Sequence, residues 1–411
     1  MIYVLDIVDS VAFAYLGFSV AYLFVFAFFS LLKKNQTYPA TSELHRMLIL
    51  FPAYREDRVI EYSVRSFLAQ TYPRHRYDVV VISDQMKEET DLRLSGLGVQ
   101  VIKINEEKSS KGKALIFAMD SLKDKAYDVV VVLDADNTVE PDFLDQINRA
   151  YHAGYRAIQG HRQGKNLHTD FAIMDAASEE MNNAYFRQGH CALGLSSALS
   201  GSGMAFEYNW FRNNIRKVIT TGEDLELEIF LLKQRIPIAY LRGVPVYDDK
   251  VQSALSFSRQ RRRWLAAQVD CLKMAIRDLP HALWTRNINY ADKLLQWMMF
   301  PRVLLFGFVF LTSIVLSFVK IEWALKWWAL SYVLILTFWM AIPKNMDARI
   351  IKIAVKRVPL LFALMFVNLF HVNRTSGKTF HTPHGAPVSN AKVVGESIYP
   401  AAKPRSNKPV S

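Results

Sequence analysis

Hydrophobic positions along the chain fall into three patterns. The first is unbroken. Residues 11–32, VAFAYLGFSVAYLFVFAFFSLL, carry no charge and are long enough to cross a bilayer as one helix. Asp6 and Asp9 precede this run and Lys33 and Lys34 follow it, the reverse of a cleaved leader, so it reads as an anchor. Two further runs, 301–319 and 323–342, are joined by a very short link and predict a helical hairpin. Arg302 can snorkel at the start of one, and Trp327, Trp328 and Trp339 suit the interfaces of the other. The bias of basic residues, Lys33 and Lys34 first and Lys344, Arg349, Lys352, Lys356 and Arg357 later, predicts an outer N-terminus. It also predicts that the region between the spans faces the cytosol of an integral membrane protein.

The second pattern alternates. RMLILFPAY (46–54), YDVVVISD (77–84), VQVIKIN (99–105) and YDVVVVLDADN (127–137) are apolar strands. VIEYSVRSFLAQ (59–70) and KALIFAMDSL (113–122) have helical spacing between them. Strands without polar alternation are buried on both faces, so the expected fold is α/β, a parallel sheet covered by helices on both sides. Ligands of such sheets bind beyond the carboxyl ends of the strands.

The third pattern is mixed. PLLFALMFVNLF (359–370) is short for a span and follows ARIIKIAVKRV, so 344–372 reads as an amphipathic helix on the inner surface, with a fourth span as the alternative. The chain then divides into an anchor (1–40), a soluble α/β domain (41–250), interfacial helices carrying QRRRW (251–295), a hairpin (296–343), the surface helix and a polar tail (373–411).

Composition agrees. Hydrophobic residues make up 51% and aromatics 13%, high for a soluble domain of this length, and the net charge of +12 suits an anionic membrane surface or phosphate-bearing ligands. A nucleic-acid binder would explain the charge but neither the spans nor the acid pairs described next. Cys191 and Cys271, far apart in the sequence, make neither a zinc site nor a disulfide framework.

Two strands run into carboxylates: Asp84 ends one, and Asp134 and Asp136 end another. Two acids that close repel unless a cation is supplied, so the pair points to a metal site for Mg²⁺ or Mn²⁺ with oxygen ligands. The competing reading is an Asp-rich turn that caps a helix starting near Pro141. Further on, SGSGMAFEYNWF (200–211) places Gly201, Ser202 and Gly203 where backbone can approach a ligand. TTGEDLELEIF (220–230) starts a helix with Glu223 and Asp224, which either cap it or act chemically. SFSRQRRRWLAAQ (256–268) carries Gln260, Arg263 and Trp264 beside Arg261 and Arg262.

Taken in order, FPAYRE, SD, LDADN, GSGMAF, GED and QRRRW resemble the membrane-embedded family 2 glycosyltransferases, which include cellulose, chitin and hyaluronan synthases and ceramide glucosyltransferases. Their pattern of D, DxD, ED and QxxRW falls on Asp84, on Asp134 and Asp136, on Glu223 and Asp224, and on Gln260, Arg263 and Trp264. The resemblance implies a GT-A fold, a UDP-sugar donor and inversion at the anomeric carbon. It places the uridine at Tyr54, Glu56 and Asp84, with Lys111 and Lys113 nearby. The diphosphate falls at Asp134, Asp136 and Arg263, and the acceptor at Gln260, Trp264 and the Gly201–Gly203 loop. Direct inversion requires only a base, for which Asp224 is the expectation, with Glu223 as its neighbour. KTFHTPHG (378–385) resembles the gating loop of cellulose synthases, which implies that His384 reaches the diphosphate.

The leading expectation is a polysaccharide synthase-like enzyme that extends a glycan, with an oligomer or an export partner completing the channel. The alternative is transfer of a single sugar to a lipid acceptor. A non-catalytic, nucleotide-sugar-binding membrane scaffold is the reading from a different class.

Overall fold

The computed structural model describes residues 2–32, 36–104, 110–343 and 348–371. His384 and the rest of the 378–385 segment lie outside the described residues.

Eight strands form one sheet: β1 (Met47–Tyr54), β2 (Tyr77–Asp84), β3 (Gln100–Ile104), β4 (Val129–Val132), β5 (Thr138–Val139), β6 (Ala157–Gly164), β7 (Met204–Glu207) and β8 (Ile238–Asp248), in the order β3-β2-β1-β4-β7-β6-β8-β5. The first four strands are parallel, as the alternation predicts. The sheet as a whole is mixed, which corrects the wholly parallel expectation: β7 runs antiparallel to both β4 and β6, and β5 antiparallel to β8. Between β6 and β7 the chain passes through the helical segments Asp170–Asn182, Asn183–Gly189 and His190–Ala192, then re-enters the sheet between β4 and β6 running opposite to both.

Unbroken apolar strands feed two cores at once, because successive side chains point to opposite faces. Ile49, Phe51, Val79, Val81, Val129 and Val131 pack on one side with Val64, Phe67 and Ile147. Leu48, Leu50, Val80, Ile82, Val130 and Val132 pack on the other with Leu115, Phe211 and Leu227. A polar residue at any of these positions would be buried without a guaranteed partner, at a cost of about 1–3 kcal/mol.

Among the described residues, three helices are long and apolar enough to cross a membrane: Tyr3–Leu32 (within helix Ile2–Leu32), Arg302–Val319 and Ile321–Ala341. They agree with the three sequence spans. The first starts earlier than expected, because its acids meet the hairpin: Asp9 accepts from Trp327 Nε1 at 2.8 Å and pairs with Lys326. Leu16, Val20, Leu23 and Ala27 pack with Leu305, Val309, Trp327 and Leu334 in a separate apolar cluster. Tyr185 joins that cluster from the sheet domain. It belongs to a π-helical turn, Asn183–Gly189, that lies so close to the first span that a Cβ on Gly189 would sit 2.2 Å from the Phe26 carbonyl oxygen. Only glycine fits there, and the membrane helices are thereby docked directly onto the sheet domain.

The last described helix, Ala348–Leu369, contains Pro359. It buries Leu361 and Met365 and packs against helices Asp170–Asn182, Ala254–Ala275 and Arg302–Val319. Arg357 pairs with Asp170 at 2.6 Å, and Asn368 exchanges hydrogen bonds with Ser258.

Candidate active site

β1, β2 and β4 end on the same edge of the sheet, and each ends in polar residues. Tyr54 closes β1 and Glu56 follows it, Asp84 closes β2, and Asp134 and Asp136 follow β4. All five line one cavity of about 600 Å³. Asp84 and Asp136 are each only 3% exposed, a cost a fold bears only where the charge is used or compensated.

The turn carrying Asp134 and Asp136 is built by its neighbours. The Asp134 backbone N–H donates to Asn137 Oδ1 at 3.0 Å and to Ser202 Oγ at 2.9 Å, and the Ser202 hydroxyl donates to Asn137 Oδ1. Asp136 Oδ2 accepts from the Asp249 N–H at 2.7 Å. Ser202 and Gly203 therefore support the carboxylates from behind: Ser202 is fully buried, Gly203 lies against Val246, and neither lines the cavity. Lys113 is exposed and is not part of the lining.

Lys111 is brought in by a helix start. Ser110 caps helix Lys111–Ser121 by accepting from the Lys113 N–H, a contribution of about 1 kcal/mol. Lys111 Nζ then donates to Asp134 Oδ1 at 2.5 Å and to the Gly201 carbonyl at 2.6 Å, and lies 3.6 Å from Glu223 Oε1. Burial pulls its pKa down, but Asp134 and Glu223 more than compensate and the net shift is upward, so it remains a cation.

Glu223 and Asp224 open helix Glu223–Lys233 behind Gly222, whose N–H is held by Thr220 Oγ1 at 3.1 Å. The Glu226 carboxylate accepts the Ile219 and Thr220 N–H groups, and Asp224 Oδ1 accepts the Leu225 N–H at 2.9 Å in the first turn of the helix. Burial pushes the Glu223 carboxyl up to about 7; Lys111 opposes the shift and Asp224 adds to it. Asp224 faces Gly201, which adopts φ +82°, and a Cβ there would lie 3.2 Å from Asp224 Oδ2. Glycine at this point keeps the space in front of the carboxylate open.

QRRRW lies within helix Ala254–Ala275, and Gln260, Arg261, Arg263 and Trp264 all line the cavity. Arg262 does not. Arg261 pairs with Asp175 at 2.5 Å and lies 4.6 Å over the Trp264 ring, so it fixes the tryptophan.

Several lining residues gave no sequence signal. Arg162 on β6 pairs with Asp248 at 2.8 Å and stands 4.0 Å from Asp134 Oδ2. Glu179 and Arg187 pair at 3.0 Å. Burial raises the Glu179 pKa, but Arg187, Lys250, Arg162 and Arg261 outweigh it and hold the carboxyl at about 2. Glu228, one turn after Asp224, pairs with Lys293 at 2.6 Å. The rest of the wall mixes apolar residues of the membrane-side helices, Leu23, Phe300, Pro301, Val303, Leu361 and Met365, with polar ones such as Arg302, Gln296 and Gln268. An alternation of single charged and apolar residues on separate helices has no local period, so only their convergence reveals them.

The residues suit a hard divalent cation. Asp134, Asp136 and Asp249 contribute carboxylates to one wall, with no cysteine and no histidine among the described lining residues. The fold and this acid-lined cavity are those of a glycosyltransferase of the GT-A type. Residues 45–267, just over half of the chain, match the family described as glycosyltransferase like family 2, and the chain belongs to that family. A curated relative, the beta-monoglucosyldiacylglycerol synthase of Synechocystis sp., is 25% identical over 229 residues, 53% of this chain and 47% of that protein. The chain thus spans about half the length of that curated relative. Among solved structures, a mannosyltransferase from Pyrobaculum calidifontis in complex with GDP-mannose and Mn²⁺ superposes with a TM-score of 0.51 at 14% identity, over 80% of this chain and 96% of that one. Residues 1–349 of S. aureus TarS in complex with UDP-GlcNAc give a TM-score of 0.43 at 15% identity, over 80% and 91%.

Proposed function

We propose that the protein is a membrane-attached inverting glycosyltransferase that moves one sugar from a UDP-sugar to a hydroxyl of a lipid acceptor. One observation carries this reading. The cavity that holds Asp84, Asp134, Asp136 and Asp224 is also lined by apolar residues of the membrane-side helices, Leu23, Phe300, Pro301, Val303, Leu361 and Met365, with Arg302 among them. Those residues belong to, or adjoin, helices long and apolar enough for a bilayer or packed on them. An acyl chain fits such a wall, whereas a free glycan would leave it wet. The Synechocystis relative, by its name, acts on a diacylglycerol, which agrees.

Within this reading Tyr54, Glu56 and Asp84 bind the uridine. Asp134 and Asp136 hold Mg²⁺ or Mn²⁺, which when bound neutralises the charge of the diphosphate. Lys111 and Arg263 donate charge-assisted hydrogen bonds to the same oxygens. Asp224 accepts the proton of the acceptor hydroxyl as its oxygen forms the bond to the anomeric carbon and the diphosphate departs on the opposite face. Glu223, protonated up to near neutrality, adds no second negative charge beside that base. The catalytic domain faces the cytosol, where nucleotide sugars are made.

Extension of a glycan is the second reading. It is favoured by Trp264, whose ring is held at the cavity wall as a stacking surface and belongs to the QRRRW sequence. Purified protein in lipid nanodiscs, given a panel of radiolabelled UDP-sugars, separates the two. The lipid reading expects one labelled, solvent-extractable lipid of discrete size. A labelled water-soluble polymer would overturn it.

A further inference from the structure

Glu43, His45 and His152 meet at the edge of the sheet opposite the cavity. Glu43 and His45 precede β1, and His152 ends helix Phe143–His152. One potential ligand atom from each lies within 4.8 Å of the others. His45 Nε2 is 3.9 Å from Glu43 Oε1, and His152 Nδ1 is 3.5 Å from Glu43 Oε2. These separations exceed those of ordinary hydrogen bonds.

The backbone beneath them is fixed. Fully buried Asn148 accepts the His45 N–H at 3.0 Å and donates to the Glu43 carbonyl at 2.8 Å. The Tyr72 hydroxyl donates to the His45 carbonyl at 2.8 Å, and the His45 ring packs edge-on against Tyr151. His45 Nε2 is buried with no hydrogen-bond partner among the described residues. Its other nitrogen, Nδ1, faces Asp128 Oδ2 at 3.8 Å, longer than a hydrogen bond; that oxygen accepts the Arg46 N–H at 2.7 Å. A carboxylate behind one ring nitrogen, with the other nitrogen aimed at further ligands, is how metal-binding histidines are oriented.

We propose that Glu43, His45 and His152 bind a divalent transition-metal cation of the zinc class, with Asp128 orienting His45. Two imidazoles and a carboxylate suit a borderline ion better than Mg²⁺ or Ca²⁺. Ligand bonds of about 2.0–2.2 Å put ligand atoms roughly 3.4 Å apart in a tetrahedral shell, so side-chain shifts of about 1 Å complete the site. His152 lies in the last turn of its helix, whose negative end favours a cation. The ion fastens the stretch between the first membrane helix and β1 to helix Phe143–His152. This site is independent of the proposed transfer reaction.

Tag-free, full-length protein carrying Asp136→Ala, to remove metal binding in the cavity, is stripped with chelator and titrated with Zn²⁺ and with Co²⁺. The expected result is one equivalent of Zn²⁺ retained through gel filtration, a tetrahedral Co²⁺ absorption band, and a melting temperature raised by Zn²⁺. Adding Glu43→Gln and His152→Ala removes all three while leaving the metal-free melting temperature unchanged. Asp128→Asn weakens Zn²⁺ about tenfold. Equal Zn²⁺ stoichiometry with and without the Glu43 and His152 substitutions overturns the proposal, as does failure of the Asp136→Ala protein to retain any Zn²⁺.

Discussion

Lys111 Nζ stands 2.5 Å from Asp134 Oδ1. The same ammonium lies 3.6 Å from Glu223 Oε1, so one cation joins the carboxylates at the strand ends to those at the helix start. Replacing it with methionine removes the cation that Asp134 and Glu223 share. Lys111→Met should weaken UDP binding by about tenfold to a hundredfold, the worth of a charge-assisted hydrogen bond. Calorimetry at fixed Mn²⁺ measures this, and wild-type affinity would remove Lys111 from the donor site.

Glu223 gives a pH dependence whose sign is fixed. Its carboxyl is pushed up to about 7 by burial, above an ordinary value of 4.5. Between those pH values the folded protein binds more protons than the unfolded chain, so stability falls as pH rises through the window. Glu223→Gln should remove that component, and the melting temperature should drop less between pH 5 and about pH 8 than in the wild type. An identical drop in both proteins would show that Glu223 does not titrate there.

Asp224→Asn keeps the shape of the cavity but cannot take a proton. Transfer should fall by about two to four orders of magnitude, with UDP affinity retained. Turnover at the wild-type rate would exclude Asp224 as the base.

Asp136 and Asp134 are assigned to the divalent cation. Asp136→Ala should abolish the Mn²⁺-dependent part of UDP binding while leaving the fold intact by circular dichroism. Calorimetric affinity that is the same with and without Mn²⁺ in the wild type would contradict that assignment.

Met365 and Leu361 test the apolar end of the cavity. Met365→Gln places a polar amide where an acyl chain is expected, at a transfer cost of about 1–3 kcal/mol. The acceptor KM should rise roughly tenfold or more, with the donor KM unchanged. A change confined to the donor would place the acceptor elsewhere.

Much of this was readable from the chain. The three spans, the first four strands and their acidic ends declare themselves through local apolar runs, because both bilayers and buried parallel strands demand uninterrupted hydrophobicity. The second half of the sheet did not. β6, Ala157–Gly164, contains His161, Arg162 and Gln163, which break the apolar pattern; His161 meets Glu180 and Arg162 pairs with Asp248. β7 hid in a glycine-rich stretch that looks like a loop, and its pairing with β4 made the sheet mixed.

The sequence alone determined that carboxylates would cluster near strand ends and that a helix would start at Glu223; that QRRRW would lie near both was implied only by the family resemblance. Periodicity and capping are properties of neighbours along the chain. Tertiary structure decided which of these residues face the cavity: Ser202 and Gly203 turned out to support it, while Arg162, Glu179, Glu228 and Arg302 joined its wall. It also decided that the acid-lined end opens onto the membrane-side helices. Those relations depend on long-range packing, where residues more than a hundred positions apart share one space, and no local pattern encodes them.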